Sequence, residues 1–257
     1  MAKEVVGLEL VGEAAVLRLD RPEVHNAIDA AVMEALEAHL ETLDARSEVR
    51  TVVLTGAGHR SFCAGGDLRY FARLESRESG LEVSERMRSI LDRLGDHHRV
   101  TIAAVNGQAL GGGCEIALAC HFRIAADTAT FTFLQAQNGI FTGWGGGARL
   151  FRLLGRNHAL RLLLTGEKVD AAEAHRIGLV DRVVPAGDLL DQTLAFADAI
   201  HSHPRSVVSA FLDLAETVET GDPRAVARKE AELFADRWTS ADFRRQIANF
   251  LERRGGG

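Results

Sequence analysis

The chain has 257 residues, 46% hydrophobic and 26% charged, which is enough apolar material for a sizeable core in one or two domains. Its net charge of −6 argues against a non-specific nucleic-acid binder, which needs a basic footprint. No run approaches the roughly 18 apolar residues of a membrane span, and the opening MAKEVVGLEL lacks the charged-then-apolar pattern of an export signal. Cys63, Cys114 and Cys120 form no Cys-x-x-Cys pair, so a reduced, cytoplasmic protein without disulfides is expected.

In chain order, the first expected strand is AAVLRL, Ala14–Leu19. A helix follows from Ala30, with Asp29 as its N-cap and Val32, Leu36, Leu40 and Leu43 on one face. TVVLTG (Thr51–Gly56) and TIAAV (Thr101–Val105) are nearly all apolar, as strands covered on both faces should be, and FRIAA (Phe122–Ala126) is a further strand. After Arg149 the pattern turns helical: a helix pair broken at Gly155, then a short helix ending near Gly178. From Ala186 onward only helices are expected, with Gly255–Gly257 as a frayed end. Strand–strand–helix units recur loosely. The class is therefore α/β, with a core over residues 1–195 and a helical segment over 196–257.

Several chemistries are missing. None of the three lysines follows a phosphate-cradling glycine loop, and no Gly-x-Ser-x-Gly elbow is present. The ten histidines show no metal spacing, and the adjacent His97 and His98 would not face one site. GWGGGA (Gly143–Ala148) formally matches a dinucleotide fingerprint, but the QAQNGIFT before it does not read as a strand.

Two glycine loops remain, each after an apolar strand and before a helix. They are GAGHRSFCAGGDLRYFARL (Gly56–Leu74) and NGQALGGGCEIAL (Asn106–Leu118). Such turns leave backbone N–H groups unpaired at a helix start, where they suit a developing negative charge. Two loops contributing one N–H each would form an oxyanion hole; two tight, closely packed turns are the plainer reading. Glu115, just inside the second helix, reads by position alone as a solvated acid favoured by the helix dipole.

SFCAGGDL (Ser61–Leu68) and AAVNGQALGGGCEIALACHFRIAA (Ala103–Ala126) resemble the two signature segments of the crotonase superfamily, the enoyl-CoA hydratase/isomerase family. RPEVHNAI (Arg21–Ile28), GWGGGARLFRLLG (Gly143–Gly155) and LLLTGEKVDAAEAHRIGLVDRVVP (Leu162–Pro185) extend the resemblance over almost the whole chain. It implies a spiral of ββα units, a helical C-terminal part that builds homotrimers or homohexamers, and an acyl-CoA thioester as substrate. It implies no cofactor, coenzyme A being part of the substrate; neither a nucleic-acid partner nor a membrane is expected from the charge and the apolar runs. It places oxyanion donors on the N–H groups of Gly66 and Gly112. It sets Val24 and Ala27 in the early CoA-contacting turn, Ala64, Asp67 and Leu68 along the adenine and pantetheine, and Arg69 near a CoA phosphate. Trp144 either lines the acyl pocket or packs under the glycine helix, and His121 has a structural role. Phe243 and Phe250 either cover a neighbouring subunit's CoA site or pack within the oligomer. Cys114 adjoins the site but has nothing nearby to activate it.

Hydratases of the family use two glutamates. The first corresponds to Glu115, with a catalytic or site-lining role. The second, twenty residues on, is Gln135 here. An amide does not exchange a proton near neutral pH, so Gln135 can orient a water or a substrate carboxylate but cannot act as acid or base. Three readings follow: hydration or isomerisation of an enoyl-CoA with one carboxylate, decarboxylation of a malonyl-type CoA, or a catalytically silent acyl-CoA-binding or scaffold protein.

Overall fold

Successive apolar runs force strands that are buried on both faces, and the rest of the architecture follows from covering them. The computed structural model describes residues 4–95, 99–219 and 221–255; His97, His98, Gly256 and Gly257 lie outside these. The chain opens with β1 (Val6–Val11) and β2 (Ala14–Leu19), an antiparallel pair, then α1 (Ala30–Asp44). β3 (Thr51–Gly56), β4 (Ser61–Cys63), α2 (Leu68–Phe71) and α3 (Arg77–Leu94) follow. Next come β5 (Val100–Val105), β6 (Gln108–Leu110), α4 (Gly112–Ala119), β7 (Phe122–Ala126) and β8 (Thr130–Thr132). The remainder is α5 (Gly146–Thr165), β9 (Val169–Asp170), α6 (Ala171–Arg176), β10 (Arg182–Val184), α7 (Leu189–His201), α8 (Arg205–Glu219), α9 (Pro223–Trp238) and α10 (Ala241–Gly255).

Two sheets result. The larger has the order β1-β2-β3-β5-β7-β10, parallel from β2 onward, and the smaller has the order β4-β6-β8-β9. Each turn of chain lays one strand in the large sheet and one in the small sheet, then returns through helix: β3-β4-α3, β5-β6-α4, β7-β8-α5. The loosely recurring strand–strand–helix unit is therefore a spiral. Even its first turn has a vestige of the second strand, because Ile28 bridges in parallel to Gly66.

Asp29 caps α1, its Oδ1 accepting from Val32 N at 3.0 Å. That helix buries Val32, Met33, Leu36, Leu40 and Leu43, each contributing about 1.5–3 kcal/mol if fully removed from water. α4 is buried from Gly113 to Ala119 on every side, so whatever it carries is carried into the interior. Gly155, at φ +70, breaks α5 as its sequence implied. α3 was not legible, because only Met87, Ile90, Leu91 and Leu94, in its second half, are buried. Gly80 lies inside its exposed first half with nothing near a would-be β-carbon. Gly80→Ala should therefore stabilise the protein by about 0.5–1 kcal/mol, read as a rise of about 1–4 °C in a thermal melt; an unchanged or lower midpoint would contradict it.

The chain divides into two compact units, residues 1–197 and 198–257. In the second, α8 and α9 bury no residue, and Phe234, Trp238 and Phe243 stack with ring spacings of 5.5 and 5.3 Å. Lys229 pairs with Asp213 there at 3.4 Å. Among the described residues no helix is long and apolar enough to cross a membrane.

Candidate active site

The two glycine loops meet because β4 and β6 are parallel neighbours, with Ser61 opposite Gln108 and Cys63 opposite Ala109. After β4 the chain continues as an extended segment against residue 28: Ile28 N donates to Gly65 O and Asp67 N to Ile28 O, both at 2.8 Å. In parallel pairing the residue between those two points its own N–H and C=O the other way. That residue is Gly66. After β6, Gly111 (φ +50) donates its N–H to Thr132 O at 2.8 Å and turns the chain into α4. Gly112 then starts the helix, where N–H groups have no intrahelical acceptor. Among the described residues neither the Gly66 nor the Gly112 N–H makes a hydrogen bond. The loops touch: a β-carbon on Gly65 would lie 2.8 Å from Gly112 N, and one on Gly113 would fall on the Cys63 carbonyl oxygen. Glycine is required here by close approach of two backbones.

Glu115 stands in the first turn of α4 and is 2% exposed, so it is not the solvated acid its position suggests. Its Oε2 accepts from Trp144 N at 2.8 Å and Gly146 N at 2.9 Å, and its Oε1 accepts from Gln135 Nε2 at 3.1 Å. The carboxylate thus serves as a long-range cap for α5, whose first-turn donors would otherwise be orphaned. Gly146 is glycine because a β-carbon there would overlap the Glu115 side chain. The GWGGGA run therefore cradles a carboxylate of the protein itself. The Trp144 ring packs on Gly112, where a β-carbon would run into the indole, and Trp144 is 6% exposed.

Three residues that the sequence gave no reason to single out hold this segment from outside. Ser84 Oγ donates to Gly143 O at 2.5 Å, Arg149 Nη1 to Trp144 O at 2.9 Å, and Arg149 Nη2 pairs with Asp92 at 2.6 Å. Ser84 and Asp92 belong to α3, so the unheralded helix anchors the segment that fixes Glu115. Gln135 is 8% exposed, and its Oε1 is buried without a partner.

The residues assigned to coenzyme A fall in two adjoining loops. Arg21 ties them together, reaching Ala27 O at 2.8 Å, Asp29 at 2.9 Å and Asp67 at 3.0 Å. Asn26 braces the same turn at φ +58, its Nδ2 donating to Ser61 O at 2.8 Å and to Ala57 O at 3.1 Å. Val24 and Ala64 are half-buried and Ala27 is buried. Leu68 is 75% exposed, and Arg69 beside it is exposed as well. The Asp67 side chain is committed internally, capping α2 through Arg69 N and Tyr70 N and pairing with Arg21. Burial pushes its carboxyl up, but the Arg21 guanidinium and the two N–H donors outweigh this and leave it below its ordinary value.

Burial pushes the Cys63 and Cys120 thiols up to about 12, and Cys114 is raised by the same cause. None is poised as a nucleophile. His121 Nδ1 sits 3.0 Å from Thr101 N and 2.7 Å from Thr101 Oγ1, a bond between neighbouring strand ends rather than a site contact. Phe243 and Phe250 lie on α10 in the second unit, both partly exposed. Among the described residues no group of three or more His, Cys, Asp or Glu could hold a metal ion.

Residues 11–256 match the family model described as enoyl-CoA hydratase/isomerase. A short-chain-enoyl-CoA hydratase of Clostridium acetobutylicum is 34% identical over 250 residues, covering 96% of this chain and 94% of that protein. The crystal structure of an enoyl-CoA hydratase from Bacillus anthracis superposes with a TM-score of 0.91 at 30% identity, over 97% of this chain and 96% of that one. A Thermobifida fusca structure solved in complex with acetoacetyl-CoA superposes at 0.85 with 30% identity, over 91% of this chain and 95% of that one. With the spiral of paired strands and the two converging glycine loops, these matches establish that the chain belongs to the enoyl-CoA hydratase/isomerase family of the crotonase superfamily.

Proposed function

We propose that the enzyme adds water to the double bond of a 2-enoyl-CoA, or removes it in reverse, with Glu115 as its only acid–base group. The thioester oxygen sits between the N–H groups of Gly66 and Gly112, which take up the negative charge of the enolate. One observation carries this reading: a buried carboxylate one turn beyond an unpaired Gly112 N–H, with Oε2 tied to two backbone donors and Oε1 facing Gln135. Because Oε2 is committed, Oε1 does the proton work. It takes a proton from water as the oxygen bonds to C3, the C=C electron pair moves onto the thioester, and the same proton then goes to C2. A double-bond shift is the same single-carboxylate chemistry without water.

Coenzyme A lies along Val24, Ala27, Ala64, Asp67 and Leu68 in this reading, with Arg69 toward a phosphate. Asp67 contributes through its backbone, its carboxylate being engaged by Arg21. Residues 1–195 hold the site and residues 196–257 assemble the chain into a homotrimer or homohexamer, a role that suits helices α8 and α9 with no residue buried in the chain itself. No resident cofactor is needed. Three buried free thiols fit a cytoplasmic setting.

Mass spectrometry of purified protein incubated with crotonyl-, 3-butenoyl-, methylmalonyl- and ethylmalonyl-CoA tests this. Gain of water by crotonyl-CoA is expected, with or without conversion of the 3-enoyl ester. Loss of carbon dioxide from a malonyl ester would replace the reading with decarboxylation, and inertness toward all four would point to a silent acyl-CoA binder.

A further inference from the structure

Ser84 sits half-buried in the first half of α3, where alanine would be the better helix former. A serine inside a helix commonly turns its hydroxyl back to the carbonyl one turn earlier. This one reaches out instead, and its Oγ donates to Gly143 O, 59 residues away, at 2.5 Å. That carbonyl belongs to the peptide unit joining Gly143 to Trp144. The N–H of the same unit donates to Glu115 Oε2 at 2.8 Å. A peptide unit is planar, so whatever holds its oxygen also aims its N–H. Ser84 and Glu115 therefore grip opposite ends of one rigid plane, and the two hydrogen bonds polarise it in the same direction. The plane needs a tether, because Gly143 has no β-carbon to hinder its rotation. A β-carbon there would meet nothing nearer than Ser84 Oγ, at 3.7 Å. The anchor is itself fixed. Two residues beyond Ser84, Arg86 grips Glu37 of α1 through Nε and Nη2 at 2.8 and 2.6 Å, and further along α3 Asp92 pairs with Arg149 at 2.6 Å.

We infer that Ser84 is a positioning residue for the reaction: its hydroxyl pins the Gly143–Trp144 peptide, so that Glu115 Oε2 stays bound and Oε1 keeps its aim. The inference rests on the acid–base role proposed for Glu115 and extends it to a side chain one peptide removed from the carboxylate. Without the hydroxyl, that peptide is held at its N–H end alone. It can tip, the bond to Oε2 weakens, and the carboxylate samples orientations of which only one is productive. Substrate affinity is spared, because the thioester donors in this reading are the N–H groups of Gly66 and Gly112, which lie on other peptides.

Steady-state kinetics on crotonyl-CoA with wild type, Ser84→Ala and Ser84→Thr test this, beside spectra of the same proteins labelled with 15N-tryptophan. In Ser84→Ala kcat should fall about tenfold, the worth of one hydrogen bond, while KM changes by about twofold or less. The thermal midpoint should hold, because alanine favours the helix. Ser84→Thr keeps the hydroxyl and should bring kcat back to within about threefold of wild type. The chain has two tryptophans, so the Trp144 backbone amide is one of two such signals. Its proton should move upfield in Ser84→Ala, as the bond to the carboxylate weakens, and return in Ser84→Thr, with Trp238 as the unmoved reference. The inference is overturned if Ser84→Ala keeps kcat within about twofold of wild type, if threonine is as slow as alanine, or if the Trp144 amide does not move. A kcat loss with a matching rise in KM or a lowered midpoint marks a merely structural role and also overturns it. If wild type leaves crotonyl-CoA unchanged, or Glu115→Gln turns it over as fast as wild type, the role of Glu115 falls and this inference with it.

Discussion

Glu115→Gln should lower kcat by about 10²- to 10⁴-fold, the usual contribution of a positioned acid–base group, while butyryl-CoA binding changes little. The thioester donors in this reading are the N–H groups of Gly66 and Gly112, which the substitution does not touch. The amide can still accept from Trp144 N and Gly146 N through its oxygen, but its own NH2 then faces Gln135 Nε2, donor against donor. One buried polar group loses its partner, at a cost of about 1–3 kcal/mol. The variant should therefore fold with a lower melting midpoint. Steady-state kinetics beside a circular-dichroism melt would check both halves, and near-wild-type turnover in folded protein would refute the role given to Glu115.

The second large effect is at Gly112. A β-carbon there runs into the Trp144 ring, so Gly112→Ala must displace either the indole or the start of α4. Overpacking of this kind costs about 1–3 kcal/mol of stability. If the helix start moves, the N–H at 112 leaves its place, and losing one oxyanion donor costs about 10²- to 10³-fold in kcat. The double variant Gly112→Ala/Trp144→Leu separates the two losses. Shortening the ring should return most of the stability, so the two changes will not add. If the double variant is as unstable as the sum of its parts, the clash with Trp144 is not the cause.

Four strands of the large sheet, β2, β3, β5 and β7, were legible because they are apolar runs, whereas β1 and the three-residue β10 were not singled out; α1 was legible because its cap and its buried face lie close together in sequence. The small sheet was not. β4, β6 and β8 have three residues each, too few for any alternation to register. α3 escaped because its first half is exposed and charged. Gly66, Gly112, Glu115 and Gln135 were singled out through family signatures rather than spacing. What fixes Glu115 had no sequence signal, since Trp144 and Gly146 act through backbone N–H groups that every residue but proline carries. Ser84 and Asp92 secure the same segment from 59 and 57 residues away.

Glu115 also ties off a helix that is not its own, and this shapes how the molecule can change. In a survey of variants scored by protein abundance, Glu115 would rank with Phe62 or Leu54 as part of the interior, and the acid–base role proposed for it would go unnoticed. A descendant drifting toward a new reaction could not discard this carboxylate without finding another stopper for α5. Position 135 has no such double duty, because its side chain makes a single hydrogen bond and its Oε1 is buried without a partner. Innovation at this site should therefore begin at residue 135 and leave residue 115 in place.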